Sequence, residues 1–206
     1  MELTYTLIAD GSSDRALIPI INWALDQIGG LRYTSQYAEV SLRPSAGLSR
    51  RAEAAIKVYE CDILFVHRDA ETFAMDRRIE EIRSSLSHLG KPYVPVVPVR
   101  MTEAWLLVDE QAIRSAASNP NGQAGLNMPR MDRLEKIPDP KNILFEKLKL
   151  ASELSSGRLR KFRSESCRHR VAELISDFSQ LRNLSAFTQF ETDLIECVQT
   201  LRRATA

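Results

Sequence analysis

Two short acidic turns carry most of the chemistry the sequence could perform: Asp10-Gly11-Ser12-Ser13-Asp14 and His67-Arg68-Asp69-Ala70-Glu71. Asp10 and Asp14 are four residues apart, so one helical turn brings the second carboxylate back toward the first. Asp69 and Glu71 have one residue between them, a spacing that puts both on the same side of extended backbone. Gly11 leaves the first turn slim enough for a phosphate to approach. Four converging carboxylates repel one another unless cations lie between them, and hard oxygen donors suit Mg²⁺ or Mn²⁺. The expected metal ligands are therefore Asp10, Asp14, Asp69 and Glu71, and the chemistry such ions support is activation of water against a phosphodiester. Either turn alone also reads as ordinary helix capping.

Other residues could join this set. Glu103 and Lys141 are catalytic candidates beside Asp10, Asp69 and Glu71: Glu103 to ligate metal or orient water, Lys141 to neutralise developing negative charge. Glu103 reads equally as a first-turn carboxylate favoured by the helix dipole, and Lys141 as a solvated lysine. His67 shares Asp69's side of the strand, as an acid or base or as a buried core histidine, while Arg68 is expected to point away. Trp105 and Leu106 read as core. Cys167-Arg168-His169 lacks partners at metal-ligand spacing. Residues 157–170 (GRLRKFRSESCRHR) hold five arginines and one lysine against one glutamate. Arg158, Arg160, Lys161 and Arg163 could track a nucleic-acid backbone there, and Arg43, Arg50 and Arg51 could meet phosphate at a helix start. A charge run of this kind also serves simply as a solvated surface.

The elements that must position these groups alternate. Residues 4–9 (TYTLIA) form a strand, and residues 15–28 a helix with apolar steps of three and four and Gly29-Gly30 as its stop. Residues 36–42 read as a second strand, 43–49 as a loop and 50–59 as a helix. Residues 62–66 (DILFV) have the continuous apolar run of a central parallel strand, followed by a helix over 73–89. Residues 93–99 read as an edge strand because Pro95 and Pro98 cannot donate to a ladder. Thr102 is expected to cap a helix over 103–115. Beyond residue 117 a Gly/Pro-rich stretch leads to helices over 141–155 and 171–203. Strand and helix in alternation imply a doubly wound, mainly parallel four-stranded α/β sheet with helices on both faces. The expected division is residues 1–116 for this domain and 117–206 for a helical accessory region packed on it.

Composition narrows the class. Twenty-eight Lys and Arg against 27 Asp and Glu leave a formal charge of +1, so a polyanion partner would need a local surface. Three scattered cysteines disfavour a disulfide framework and fit a reducing, cytoplasmic location. The N-terminal MELTYTLIAD reaches charge too soon for a secretory leader, and no apolar run approaches the roughly 18 residues of a membrane span.

The strand followed by DGSSD resembles the first motif of Toprim domains, whose usual form is Glu-Gly-x-x-Asp, and FVHRDAE resembles their Asp-x-Asp motif. More closely, Glu103-Ala104-Trp105-Leu106-Leu107 and Asp139-Pro140-Lys141 are similar to motifs of a bacterial Toprim-like family. The resemblance spans residues 3–141. It implies a Toprim-like, Rossmann-like fold and a metal-dependent nuclease of the ribonuclease or overcoming-lysogenization-defect type, acting on DNA or RNA in a phage-defence or mobile-element setting. The alternative it implies is a catalytically degenerate adaptor that binds a partner ATPase. Two departures alter reach: Asp10 stands where the pattern has Glu, and Glu71 where it has Asp. The same carboxylates without the basic segment would suit a small-molecule phosphohydrolase.

Overall fold

The structure is a computed structural model and describes residues 1–39 and 44–204. Four strands, β1 (Glu2–Ile8), β2 (Arg32–Tyr37), β3 (Ile63–His67) and β4 (Tyr93–Val96), form one all-parallel sheet in the order β2-β1-β3-β4. The fold is thus α/β and Rossmann-like.

Alternation along the strands explains the two layers. In β3, Ile63 and Phe65 face one hydrophobic cluster while Leu64 and Val66 face the other. A strand apolar on both faces must be covered on both sides, which is why its sequence shows no polar alternation. The helices α2 (Leu48–Val58) and α3 (Met75–Leu86) cover one face through Ala52, Ala55, Ile79 and Ile82. The opposite face receives α1 (Leu17–Ile28), then α4 (Glu110–Ala116), α5 (Pro140–Ala151), α7 (Ser164–Leu174) and α8 (Ser185–Ala204), while the short α6 (Ser156–Leu159) between α5 and α7 buries no residue. Phe187, Phe190, Leu194 and Val198 of α8 belong to the same buried cluster as Tyr5, Leu7 and Phe65 of the sheet. Residues 117–204 therefore supply much of one core layer, shared with the sheet.

Several boundaries differ from expectation, each for a local reason. The second strand begins at Arg32 and its described part ends at Tyr37, set by parallel pairing from Glu2↔Arg32 to Leu7↔Tyr37; the expected residues 40–42 lie outside the described residues. As a largely exposed edge strand it lacks an apolar run to announce it. The first helix is preceded by a 3₁₀ turn, Ser12–Ala16, so Pro19 falls in the first turn of α1, where a missing N–H costs no ladder bond. The single helix expected over 103–115 is two elements, a 3₁₀ helix Thr102–Leu106 and α4. Asp109 starts α4 by accepting from the Ala112 N–H, while the Thr102 hydroxyl is engaged elsewhere. The helix expected over 171–203 is likewise broken, into α7 and α8 with a 3₁₀ turn Ser179–Asn183 between them. Buried Phe178 and Leu181 pin that break to the core. No helix among the described residues is long and apolar enough to cross a membrane.

Candidate active site

The chain leaves β1 toward β2 on one side and β3 toward β4 on the other, so the strand order reverses between β1 and β3. In open α/β sheets ligands bind in the crevice beyond the carboxyl ends of the strands at this reversal. Asp10 and Asp14 follow β1 and Asp69 follows β3, which puts both acidic turns at that crevice.

His67, the last residue of β3, is buried and organises one half. Its Nδ1 lies 2.9 Å from the Val96 carbonyl, which can only accept, so Nδ1 carries the proton and donates. Nε2 then faces the crevice, 3.5 Å from Asp69 Oδ1, 4.0 Å from Asp14 Oδ2 and 3.3 Å from Thr102 Oγ1. Thr102 also donates its backbone N–H to Asp69 Oδ1 at 2.9 Å, with its hydroxyl 3.3 Å from the same oxygen. Among the described residues the donors to Asp69 converge on that one oxygen. Its carboxyl is pushed up to about 6, first by burial and then by the nearby charges of Asp14 and Glu103, against the lowering influence of His67 and the Thr102 N–H. Asp14 is also a local cap: its Oδ2 accepts from the Gly11 N–H at 3.1 Å.

Glu103 is only 3% exposed and is matched by Arg168, which reaches over from α7. The helix packs against both the 3₁₀ turn holding Asp14 and the one holding Glu103. Arg168 is thus a site residue the sequence reading passed over, because nothing local ties it to a partner 65 positions away. The exposed Arg158, Arg160, Lys161 and Arg163 lie on the segment leading into α7.

Asp10 has a different environment. Arg51 of α2 donates to its Oδ1, and Arg68 Nε lies 3.4 Å from its Oδ2. Arg68, expected to point away, therefore meets the acidic turn; it also pairs with Glu81. Arg51 is within the site as the sequence allowed, Arg50 is exposed, and Arg43 lies outside the described residues. Tyr37 donates to the Gly11 carbonyl at 2.5 Å and stays a neutral phenol, its pKa pushed up to about 12 chiefly by burial.

Glu71 and Lys141 stand apart. Extended backbone ends at His67, and Glu71 sits in a turn with φ of 54°, its N–H given to the Arg100 carbonyl, so the alternation that would align it with Asp69 does not operate. Lys141 is exposed on the first turn of α5, its ammonium 5.9 Å from the Phe145 ring centroid, and Asp139 of the same motif is the N-cap of α5.

The structure thus gathers Asp14, Asp69, Glu103 and His67, and sets Asp10 between guanidinium groups. Among the described residues no three His, Cys, Asp or Glu side chains are disposed to hold a metal ion by themselves. Asp14 and Asp69 still fit a small hard cation, because no described guanidinium or ammonium pairs with them and Mg²⁺ commonly takes one or two carboxylates together with waters and substrate phosphate. A ligand set of all four expected carboxylates does not fit this arrangement. Compared with protein-family models, the curated proteins and the solved structures, the chain matches none.

Proposed function

We propose that this chain hydrolyses phosphodiesters with a Mg²⁺ or Mn²⁺ ion held by Asp14 and Asp69, and that its substrate is DNA or RNA. The observation that carries the reading is Asp69: a carboxylate largely withdrawn from water, beside two further acids, with no guanidinium or ammonium group paired with it among the described residues. Such a group is costly unless it meets a cation or performs proton chemistry. A divalent ion there supplies positive charge for phosphoryl oxygens and makes a water nucleophilic at neutral pH. The chain's own groups have distinct tasks. Thr102 fixes the Asp69 carboxylate by two donors to one oxygen. His67, its Nδ1 committed to Val96, offers Nε2 as the atom that takes or returns a proton. Glu103, neutralised by Arg168, shapes the field at Asp69. The exposed Arg158, Arg160, Lys161 and Arg163 provide phosphate contacts for a bound strand. The likeness of DGSSD and FVHRDAE to Toprim motifs supports the same chemistry.

The test is incubation of plasmid, linear duplex and RNA with the protein in Mg²⁺ or Mn²⁺, wild type beside Asp69→Asn. Metal-dependent cleavage lost in the variant is the expected result; equal cleavage by the variant sinks the assignment. Neutralising Arg158, Arg160 and Lys161 together should abolish nucleic-acid binding and flatten its salt dependence. An unaltered affinity would point to a small phosphoester substrate.

A second reading, a non-catalytic adaptor for a partner ATPase, is favoured by one observation: Asp10 and Glu103 are already engaged by arginines. Mn²⁺ binding by the wild type without cleavage of any substrate would support it.

A further inference from the structure

The crevice has a second half that the metal reading leaves unexplained. Arg51 and Arg68 stand against Asp10, and Arg68 and Arg78 against Glu81, so each of these carboxylates meets two guanidinium groups. Arg51 is placed with unusual firmness. Its side chain is only 6% exposed, one terminal nitrogen donates to Asp10 and the other to the carbonyl of Ala9. Among the described residues the Nε groups of Arg51 and Arg68 are both shut off from water and make no hydrogen bond, that of Arg68 lying 3.4 Å from Asp10 Oδ2. Arg68 is anchored from its far end by Glu81. Two guanidinium groups are thus converged on a single carboxylate that is too small to satisfy both forks, whereas Asp10 itself remains 38% exposed at the mouth of the crevice.

We infer that Arg51 and Arg68 are a phosphate-binding pair, and that Asp10 is the tethered counter-anion a substrate phosphate displaces from them. Planar forks held in fixed orientation suit phosphate, whose several oxygens can accept from two arginines at once. Displacement of Asp10 costs little reorganisation because its side chain reaches solvent, while Arg51 stays fixed by Ala9 and Arg68 by Glu81. A cation approaching Asp10 would meet two guanidinium groups, which argues against a metal-ligand role there. The crevice is then divided by charge: Asp14, Asp69 and the cation on one side, Arg51 and Arg68 with the phosphate on the side of α2 and α3, which supply Arg51 and the Glu81 anchor of Arg68. This rests on the reading of the crevice as a phosphoester site and assigns its anion half.

The test uses the whole chain and inorganic phosphate in metal-free buffer at constant ionic strength, followed by calorimetry or ³¹P NMR, with Mn²⁺ binding measured separately. Asp10→Asn should bind phosphate about tenfold more tightly, since the competing anion is gone, and Arg68→Gln about tenfold more weakly. Arg51 is too deeply buried for a clean substitution, so the half-buried Arg68 carries that arm. Asp10→Asn should keep wild-type Mn²⁺ affinity, while Asp69→Asn should lose it and still bind phosphate. Phosphate affinity that is unchanged or lower in Asp10→Asn, or unchanged in Arg68→Gln, overturns the inference, as does loss of Mn²⁺ binding in Asp10→Asn. Phosphate binding with the expected variant pattern but no Mn²⁺ binding by the wild type would remove the metal reading and uphold this one.

Discussion

Asp69 keeps a proton that an ordinary aspartate would have released. Its carboxyl is raised from 3.8 to about 6, so between those values the folded chain binds a proton the unfolded chain does not. Stability therefore falls as pH rises through that interval, and the deficit persists above it. Asp69→Asn should remove this slope and stabilise the protein at neutral pH by ~1–2 kcal/mol, the side chain being 28% exposed and partly screened. Urea unfolding of both proteins at pH 4 and 7 measures it. Added Mn²⁺ should restore stability at pH 7 to the wild type and leave the variant unmoved. At this scale the acids were legible because they end apolar strands. Their partners were not: Arg51 is 41 positions from Asp10, and no short-range spacing encodes that contact. Glu71 sits in a left-handed turn, so the two-residue alternation from Asp69 does not set its direction.

At the scale of elements, α7 joins the surface to the crevice. Arg168 pairs with Glu103, and both are largely buried, at 14% and 3% side-chain exposure. Arg168→Met would leave Glu103 charged, buried and unmatched, and should cost roughly 3 kcal/mol in urea unfolding. The double variant Arg168→Met with Glu103→Gln should recover much of that loss, because no uncompensated charge remains; recovery below the error of the measurement would mean that the pair is not coupled. The central strand β3 and the helices flanking it could be placed from apolar pattern alone, since burial on both faces leaves an unmistakable run. The edge strand β2 could not, because it is largely exposed and its register comes from pairing with β1. Asp109 marks the break within residues 103–115, a capping residue whose role emerges only once Thr102 is seen committed to the site.

For the whole molecule, the sheet and the C-terminal helices share a core. Trp105 packs edge-on against Phe187 with centroids 5.4 Å apart, and Phe65 of β3 touches Phe190 at 6.2 Å. A fragment of residues 1–116 would lose Phe187 and Phe190 and expose Trp105 and Phe65, so it should show disordered tertiary packing by near-ultraviolet circular dichroism and bind a hydrophobic dye. Phe187→Ala in the full chain should cost ~3–5 kcal/mol. The motif-bearing half of the sequence could suggest the α/β sheet, whereas its dependence on α8 follows from packing between residues far apart in the chain. The outer strand on the β4 side has one further consequence. Its pairing with β3 engages the carbonyls of Pro92 and Val96, and Pro95 lies between them in the register with its ring nitrogen turned outward, where no hydrogen can be offered. A neighbouring molecule seeking to extend the sheet would find a gap in the ladder at its middle, so this rim protects the folded chain against strand-by-strand aggregation.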